Sequence, residues 1–415
     1  MKVLYFYQHF STPKGSTGIR AYEFARTLVK KGHRVTMVCG ACATADTGLT
    51  DSYINCVRRG TIDGIDVIEF NLNYSNNDNY LKRTLTFLKF AFKSISIALF
   101  HDYDMLFATT TPLTAGIPGI FAKLLRKKPF VFEVRDLWPE LPKAMGVITN
   151  PIILSLLSWL EWCSYHSADA CIGLAPGIVE GIIKRGVSPG NVVLLPNGCD
   201  LSIFGNSKTN GWRPESVHSD DFMAVFTGAH GVANGLNAVL DAAKVLTNDN
   251  RTNIKFVFIG EGSLKGELKK RAAKEGLSNC IFLDAVPKDK LAGLLSEADI
   301  GLMILANVPA FYYGTSPNKF FDYIAAGLPV LNNYPGWLAD IIEKFRCGLA
   351  VPPDDPRAFA DALVSVADNP EIIDEMGRNA RKLASEQFNR LDIADKFVTF
   401  LESVLAKHRE KYHER

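Results

Sequence analysis

At 415 residues the chain is long enough for about two domains, each with its own core. Its 47% apolar and 22% charged residues are those of a soluble globular protein, and 46 Lys and Arg against 44 Asp and Glu exclude the one-sided charge of a nucleic-acid binder. The eight cysteines are scattered, and most lie in apolar patterns (Cys39, Cys163, Cys171, Cys280), as reduced buried thiols do; the Cys39-x-x-Cys42 pair has no second pair or nearby His-x-His to complete a zinc site. Met1 runs directly into a strand pattern without the apolar core and cleavage site of a secretion signal, so a cytosolic protein is expected.

In chain order, the pattern predicts a strand over 2–8, a helix over 18–31 and, after a turn at Gly32, a second strand over 34–39. Such a βαβ start leads to a parallel sheet. Further strands are expected at 67–71, 105–109, 130–134, 170–174 and 192–195. The polar, turn-rich segment 205–221, GNSKTNGWRPESVHSDD, then reads as a linker. A second series follows, with strands at 222–227, 254–260, 280–283, 300–304, 330–332 and 349–351, and helices at 235–246, 263–275, 288–297, 317–326, 356–367 and 371–386. The expected architecture is α/β: two doubly wound, Rossmann-like domains over 1–205 and 222–391 facing a cleft, a linker at 206–221, and an amphipathic last helix in 392–415 that can cross to the N-terminal domain. Ligands of such sheets bind beyond the carboxyl ends of the strands.

Three glycine-bearing turns fall at those ends: Gly15-Ser16-Thr17-Gly18, Gly228-Ala229-His230-Gly231 and Gly260-Glu261-Gly262. Glycine lets backbone N–H groups approach a phosphate, although each turn alone also reads as a plain connection. No G-x-G-x-x-G with its acidic residue is present, which speaks against a dinucleotide dehydrogenase. The segment 314–329, GTSPNKFFDYIAAGLP, carries more. Ser316 as N-cap with Pro317 at the first helical position opens a helix whose free N–H groups and dipole suit an anion. Asn318 and Asp322 share a face with Lys319 one step round, and Gly327 stops the helix. Lysine at a helix start suits a diphosphate, and a carboxylate one turn deeper suits two neighbouring hydroxyls, as on a ribose. A nucleotide-sugar site is the functional reading; an ordinary capped amphipathic helix is the structural one.

Six segments together resemble a GT-B, retaining glycosyltransferase of family four, and within it the fucosamine-transferase-type enzymes of bacterial surface polysaccharide assembly. They are GSTGIRAYEFARTLVKKGHRVTMV (15–38), FEVRDLWPE (132–140), ADACIGLAPGI (168–178), LLPNGCDLSIF (194–204), FTGAHGVANGL (226–236) and FYYGTSPNKFFDYIAAGLPV (311–330). The resemblance implies retaining transfer from a nucleotide sugar, with no metal ion held by an Asp-x-Asp pair and the donor on the second domain. It aligns Asp322 with a glutamate that binds the ribose, and leaves Gly314 where another glutamate orients the donor sugar; Tyr312, Tyr313, Thr315 or backbone amides would replace it. Asn234 stands where many relatives carry a diphosphate-binding lysine, and that charge is assigned to Lys319. Val286, after the third strand of the second half, is placed with the donor residues. In FEVRDLWPE, Arg135 could stabilise the departing phosphate and Asp136 orient it or the acceptor hydroxyl; a salt-bridged loop is the alternative. Trp138, Glu140 and His9 are placed on the acceptor side, and His230 is added to the catalytic candidates.

Two segments point to a membrane surface. The helix expected at 80–100 combines Lys82, Arg83, Lys89 and Lys93 with Leu85, Phe87, Leu88, Phe90, Phe92, Ile95 and Ile97, and 148–162 ends in Trp159 and Trp162. Burial in the first core is the alternative for both. The combined expectation is a cytosolic-face enzyme, peripheral on the inner membrane, that moves an N-acetylated amino sugar from a UDP-sugar to a polyprenyl-diphosphate-linked glycan. A nucleotide-sugar epimerase, or an inactive nucleotide-sugar-binding partner protein, are the readings it competes with.

Overall fold

A computed structural model describes residues 1–15, 18–43, 45–74, 78–205 and 210–413. The chain divides into two compact units, one made of Met1–Pro196, Gly314–Ser316 and Leu391–Arg415, the other of Asn197–Tyr313 and Pro317–Arg390.

The first unit contains β1 (Lys2–Phe6), α1 (Arg20–Lys30), β2 (Arg34–Cys42), β3 (Val57–Ile62), β4 (Ile65–Tyr74), α2 (Tyr80–Phe100), β5 (Met105–Thr109), α3 (Ile117–Arg126), β6 (Phe130–Val134), α4 (Glu140–Ala144), α5 (Pro151–Ser167), β7 (Ala170–Gly173), α6 (Pro176–Lys184) and β8 (Val192–Leu194). Its sheet runs β3-β4-β2-β1-β5-β6-β7-β8, parallel except for β3. Central strands such as Met105–Thr109 and Phe130–Val134 are buried throughout, which is why they read as continuous apolar runs. Right-handed crossovers send α1 to one face, and the reversal of strand order at β1/β5 sends α2, α3, α5 and α6 to the other. Asparagines set two of these helices: Asn79 caps α2, and Asn150, followed by Pro151, caps α5 through Ile152 and Ile153. The antiparallel β3 was not expected. Its signal was the Asp63-Gly64 dipeptide, whose φ values of 50° and 81° make a tight hairpin turn.

The second unit contains β9 (Phe222–Thr227), α7 (Asn237–Asn248), β10 (Ile254–Ile259), α8 (Lys265–Lys274), β11 (Cys280–Leu283), α9 (Lys288–Leu295), β12 (Ile300–Met303), α10 (Pro309–Tyr312), α11 (Asn318–Ala326), β13 (Val330–Asn332), α12 (Trp337–Phe345), β14 (Gly348–Ala350), α13 (Pro356–Ala367) and α14 (Pro370–Gln387). The sheet order is β11-β10-β9-β12-β13-β14, all parallel. Phe226, Phe256, Phe258, Leu240 and Leu302 lie in one continuous core.

Two boundaries differ from expectation. The break falls at Pro196/Asn197 rather than at 205, and the described part of 205–221 is docked, not free. Trp212 Nε1 donates to the Lys290 carbonyl at 2.7 Å, and Arg213 donates to the carbonyls of Asp221 (3.0 Å) and Glu297 (2.8 Å). Composition signals a loop, but a tryptophan and a guanidinium with partners hold it down. The last helix, α15 (Arg390–His413), belongs from Leu391 onward to the first unit. Phe397 stacks on Phe24 at 4.4 Å and meets Phe107 edge-on at 5.0 Å, while Asp395 pairs with Lys31 at 2.8 Å.

Candidate functional site

In the second unit, strand order reverses between β9 and β12, so the segments leaving them diverge and open a crevice. Helix α11 supplies its lysine there. It begins one residue later than expected, with Pro317 in an extended cap position and Asn318 as the first helical residue, so Ser316 lies outside the cap and no side chain caps the helix, proline having no acceptor to offer. Gly327, at φ 73°, ends it as expected. Lys319 Nζ donates to Asn234 Oδ1 at 2.6 Å and lies 4.1 Å from the centroid of the Phe226 ring. Thus Asn234 touches the lysine that sequence alone could only pair with it by analogy. A Cβ on Gly228 would stand 3.6 Å from Lys319 Cε, so the glycine backbone borders the same ammonium. Burial pulls the Lys319 pKa from 10.5 down to about 7, and no carboxylate among the described residues offsets that pull.

One turn deeper, Asp322 is buried, and its Oδ1 has no hydrogen-bond partner among the described residues. Burial raises its pKa against the opposing pull of Lys288 and Arg390. Its neighbour Tyr323 fixes the helix: the phenol oxygen accepts from the Thr227 N–H at 2.9 Å, at the end of β9. Helix α11 thus carries a buried carboxylate and a half-buried ammonium, and among the described residues neither forms an ion pair.

The other expected donor residues divide by role. Gly260 (φ 141°) and Gly262 are needed for loop packing, since Cβ atoms there would lie 1.9 Å from the Gly228 carbonyl oxygen and 2.4 Å from that of His230. Gly231 borders open space. Val286 is half-buried in the turn after β11. His230 lies deeper than its loop position suggested, and among the described residues neither ring nitrogen has a hydrogen-bond partner. Its ring is fully enclosed, with centroids of Phe226, Phe258 and Phe282 at 6.0, 6.4 and 6.2 Å, and burial lowers its pKa to about 4; the apolar strand ends take the side chain that the loop position aimed at the ligand. Its backbone remains in the loop, donating to Glu261 O at 2.9 Å. Near Gly314, the Tyr312 hydroxyl bonds Asn307, whereas Tyr313 is half exposed.

In the first unit, the corresponding reversal at β1/β5 gathers Tyr7, His9, Thr110, Thr111, Arg135 and Asp136 at strand ends. Arg135 Nη1 donates to Tyr7 Oη at 2.7 Å, its backbone N–H to Thr110 Oγ1 at 2.8 Å, and Thr111 Oγ1 donates to Asp136 Oδ2 at 3.3 Å. Burial alone would lower the Arg135 pKa, but Tyr7, Glu133 and Asp136 hold it above its usual value; burial raises Asp136, with Arg135 pulling it back. His9 packs 4.6 Å from Tyr74, and burial, then Arg135 and Arg83, lower its pKa to about 4, so it is neutral at physiological pH. Trp138 is half-buried, while the exposed Glu140 lines a different place, a pocket of about 430 Å³ shared with Leu154, Ser158 and Arg185 between α4, α5 and α6. Gly15 is packed against Ser11 and Asp46, and Gly18 precedes α1; Ser16 and Thr17 lie outside the described residues. Tyr7, Thr110 and Thr111 went unrecognised because only sheet register brings them to Arg135.

Helix α2 is apolar on two sides. Phe90, Ala91 and Ala98 are in the core, whereas Leu85 and Phe92 face outward. Of its four cations, Arg83 lies over the Tyr74 ring and Lys93 over Phe70, leaving Lys82 and Lys89 exposed. No helix among the described residues is long and apolar enough to cross a membrane.

Residues 15–198 match the "Glycosyl transferase 4-like domain" model and residues 221–369 the "Glycosyl transferases group 1" model. The O-antigen chain mannosyltransferase C of Escherichia coli is 25% identical over 262 residues, covering 62% of this chain and 67% of that protein. The D-rhamnosyltransferase WbpZ of Pseudomonas aeruginosa is 26% identical over 304 residues, or 71% and 74% of the two chains. The structure of Anabaena HepE in complex with UDP-glucose shares the fold, with a TM-score of 0.69 at 15% identity over 97% of this chain and 100% of that one. With a 4-like domain in its first unit, a group 1 domain in its second, and both units built as Rossmann-like parallel sheets, the chain belongs to the GT-B glycosyltransferases.

Proposed function

We propose that this glycosyltransferase works in bacterial surface polysaccharide assembly, moving a sugar with retention from a UDP donor to a lipid-linked glycan at the membrane surface. The observation that carries the reading is the Lys319–Asn234 contact beside Gly228, with Asp322, whose Oδ1 has no hydrogen-bond partner among the described residues, one turn along the same helix. Lys319 meets the diphosphate, gaining its full charge as the anion arrives, and Asp322 accepts from the ribose hydroxyls. Support for UDP comes from the HepE complex, and for a polysaccharide acceptor from the O-antigen mannosyltransferase and the rhamnosyltransferase. The choice of an N-acetylated amino sugar as the group moved rests on the family resemblance of the six segments alone.

Arg135 is the proposed stabiliser of charge on the departing diphosphate. Its guanidinium is held in place by Tyr7 and remains cationic, so it needs no reorganisation as the bond breaks. Asp136 orients the acceptor hydroxyl or Arg135 itself. The test is UDP release with a polyprenyl-diphosphate glycan present and absent. Acceptor-dependent release supports transfer, and release without acceptor, or sugar epimerisation alone, refutes it. In the same assay Arg135→Ala should lower kcat by roughly 10²-fold or more while leaving UDP affinity nearly unchanged.

A further inference from the structure

The outward sides of α2, α3 and α5 hold most of the large apolar side chains that the first unit leaves in water. On α2, Leu81, Leu85, Phe92 and Phe100 recur at helical spacing and form one stripe, with Phe100 86% exposed. Ile152, Leu156 and Trp159 form a second stripe on α5. Helix α3 lies between the two and packs on both. Arg126 ties it to the end of α2 through the carbonyls of Ala98 (3.2 Å) and His101 (2.7 Å), and Gly116, just before it, abuts Ser164 of α5. On this middle helix Leu124 and Leu125 are 69% and 65% exposed. Right-handed crossovers run all three helices parallel on the same side of the sheet, so their stripes form one continuous face.

Its charge is one-sided. The three helices carry Lys82, Arg83, Lys89, Lys93, Lys123 and Arg126, and their single carboxylate, Glu161, is buried and paired with Arg185. Asp78 and Asp169, beyond the helix ends, pair with Lys82 and Lys123, which leaves the excess positive. We propose that α2, α3 and α5 together form one docking face for an anionic lipid bilayer, with Leu124 and Leu125 at its centre; the proposal rests on the peripheral-membrane part of the function above. Leucine, phenylalanine and tryptophan side chains enter the boundary between headgroups and acyl chains, while lysine and arginine heads reach the anionic headgroups. A second copy of the chain fits less well, because a two-fold contact through this face would set cation against cation.

Flotation of the full chain with vesicles tests this without any sugar donor. Wild type should float with vesicles of phosphatidylglycerol and phosphatidylcholine, not with phosphatidylcholine alone, and should come off as salt rises. Leu124→Ser with Leu125→Ser should weaken partition by about tenfold or more per leucine, and Trp159→Ser similarly, with unchanged circular dichroism since these side chains already lie in water. Variants that float like wild type overturn the proposal, as does a wild type that never floats. A concentration-dependent dimer dissolved by the leucine changes assigns the face to a second copy instead. Transfer to a short-chain, water-soluble acceptor separates the two readings: vesicle binding without transfer leaves the face standing and removes the activity, whereas transfer without vesicle binding does the reverse.

Discussion

At the scale of single residues, Lys319 carries an observable cost. Its pKa is depressed from 10.5 to about 7 in the folded protein, so protonation opposes folding, fully below about pH 7 and not at all above about 10.5. Lys319→Met should therefore raise the Tm of the free protein, by more at about pH 6 than at about pH 9. The same change should abolish tight UDP binding and leave uridine, which has no phosphate, nearly untouched. In the wild type, UDP-sugar affinity should fall by up to tenfold per unit as pH rises above about 7, because the neutral amine must first take up a proton. Asp322 behaves differently. Asp322→Asn keeps its shape and removes an acceptor charge worth about 1.5–3 kcal/mol per hydrogen bond, so UDP and uridine should both weaken by roughly tenfold or more. Calorimetry in which uridine and UDP respond alike to both changes would show that phosphate and ribose have been assigned to the wrong side chains.

At the scale of elements, the site depends on two glycine loops leaning on each other. The Gly228 N–H donates to the Ile259 carbonyl at 2.9 Å, and the Gly260 backbone, at φ 141°, approaches the Gly228 carbonyl too closely for any Cβ. Gly260→Ala should cost about 1–3 kcal/mol from backbone strain alone, with more from the collision, and should shift Gly228 away from Lys319. Denaturant unfolding and UDP titration should register both losses, and a variant of wild-type stability and affinity would rule out this coupling. Helix α11 is held by the same logic, since Tyr323 fixes it to the end of β9 while Lys319 reaches Asn234.

For the molecule as a whole, the boundary at Pro196/Asn197 decides which fragment folds. A fragment spanning 197–390 retains the docking of Trp212 and Arg213, and the bonds of Arg390 to Gly198 (2.7 Å) and Asp200 (3.4 Å). It should unfold cooperatively. A fragment spanning 219–390 loses all of these and exposes the surface under Trp212, so its urea midpoint should be clearly lower. Equal midpoints would return 205–221 to the role of a free linker.

The sequence by itself determined the α/β alternation, the mainly parallel sheets and the glycine stop of helix α11, because continuous apolar runs, helical spacing and glycine stops are local signals that survive without partners. Asp63-Gly64 was equally local and went unread. Only tertiary structure decided what each polar side chain meets. The Lys319–Asn234 contact joins positions 85 residues apart, and the Arg135–Tyr7 bond joins positions 128 apart; sheet order and register bring each pair together. His230 shows how far burial escapes the sequence: three phenylalanines from separate strands enclose the ring of a histidine that its loop position would leave open. Burial follows from what folds back onto a residue, and periodicity along one element records only which side turns inward.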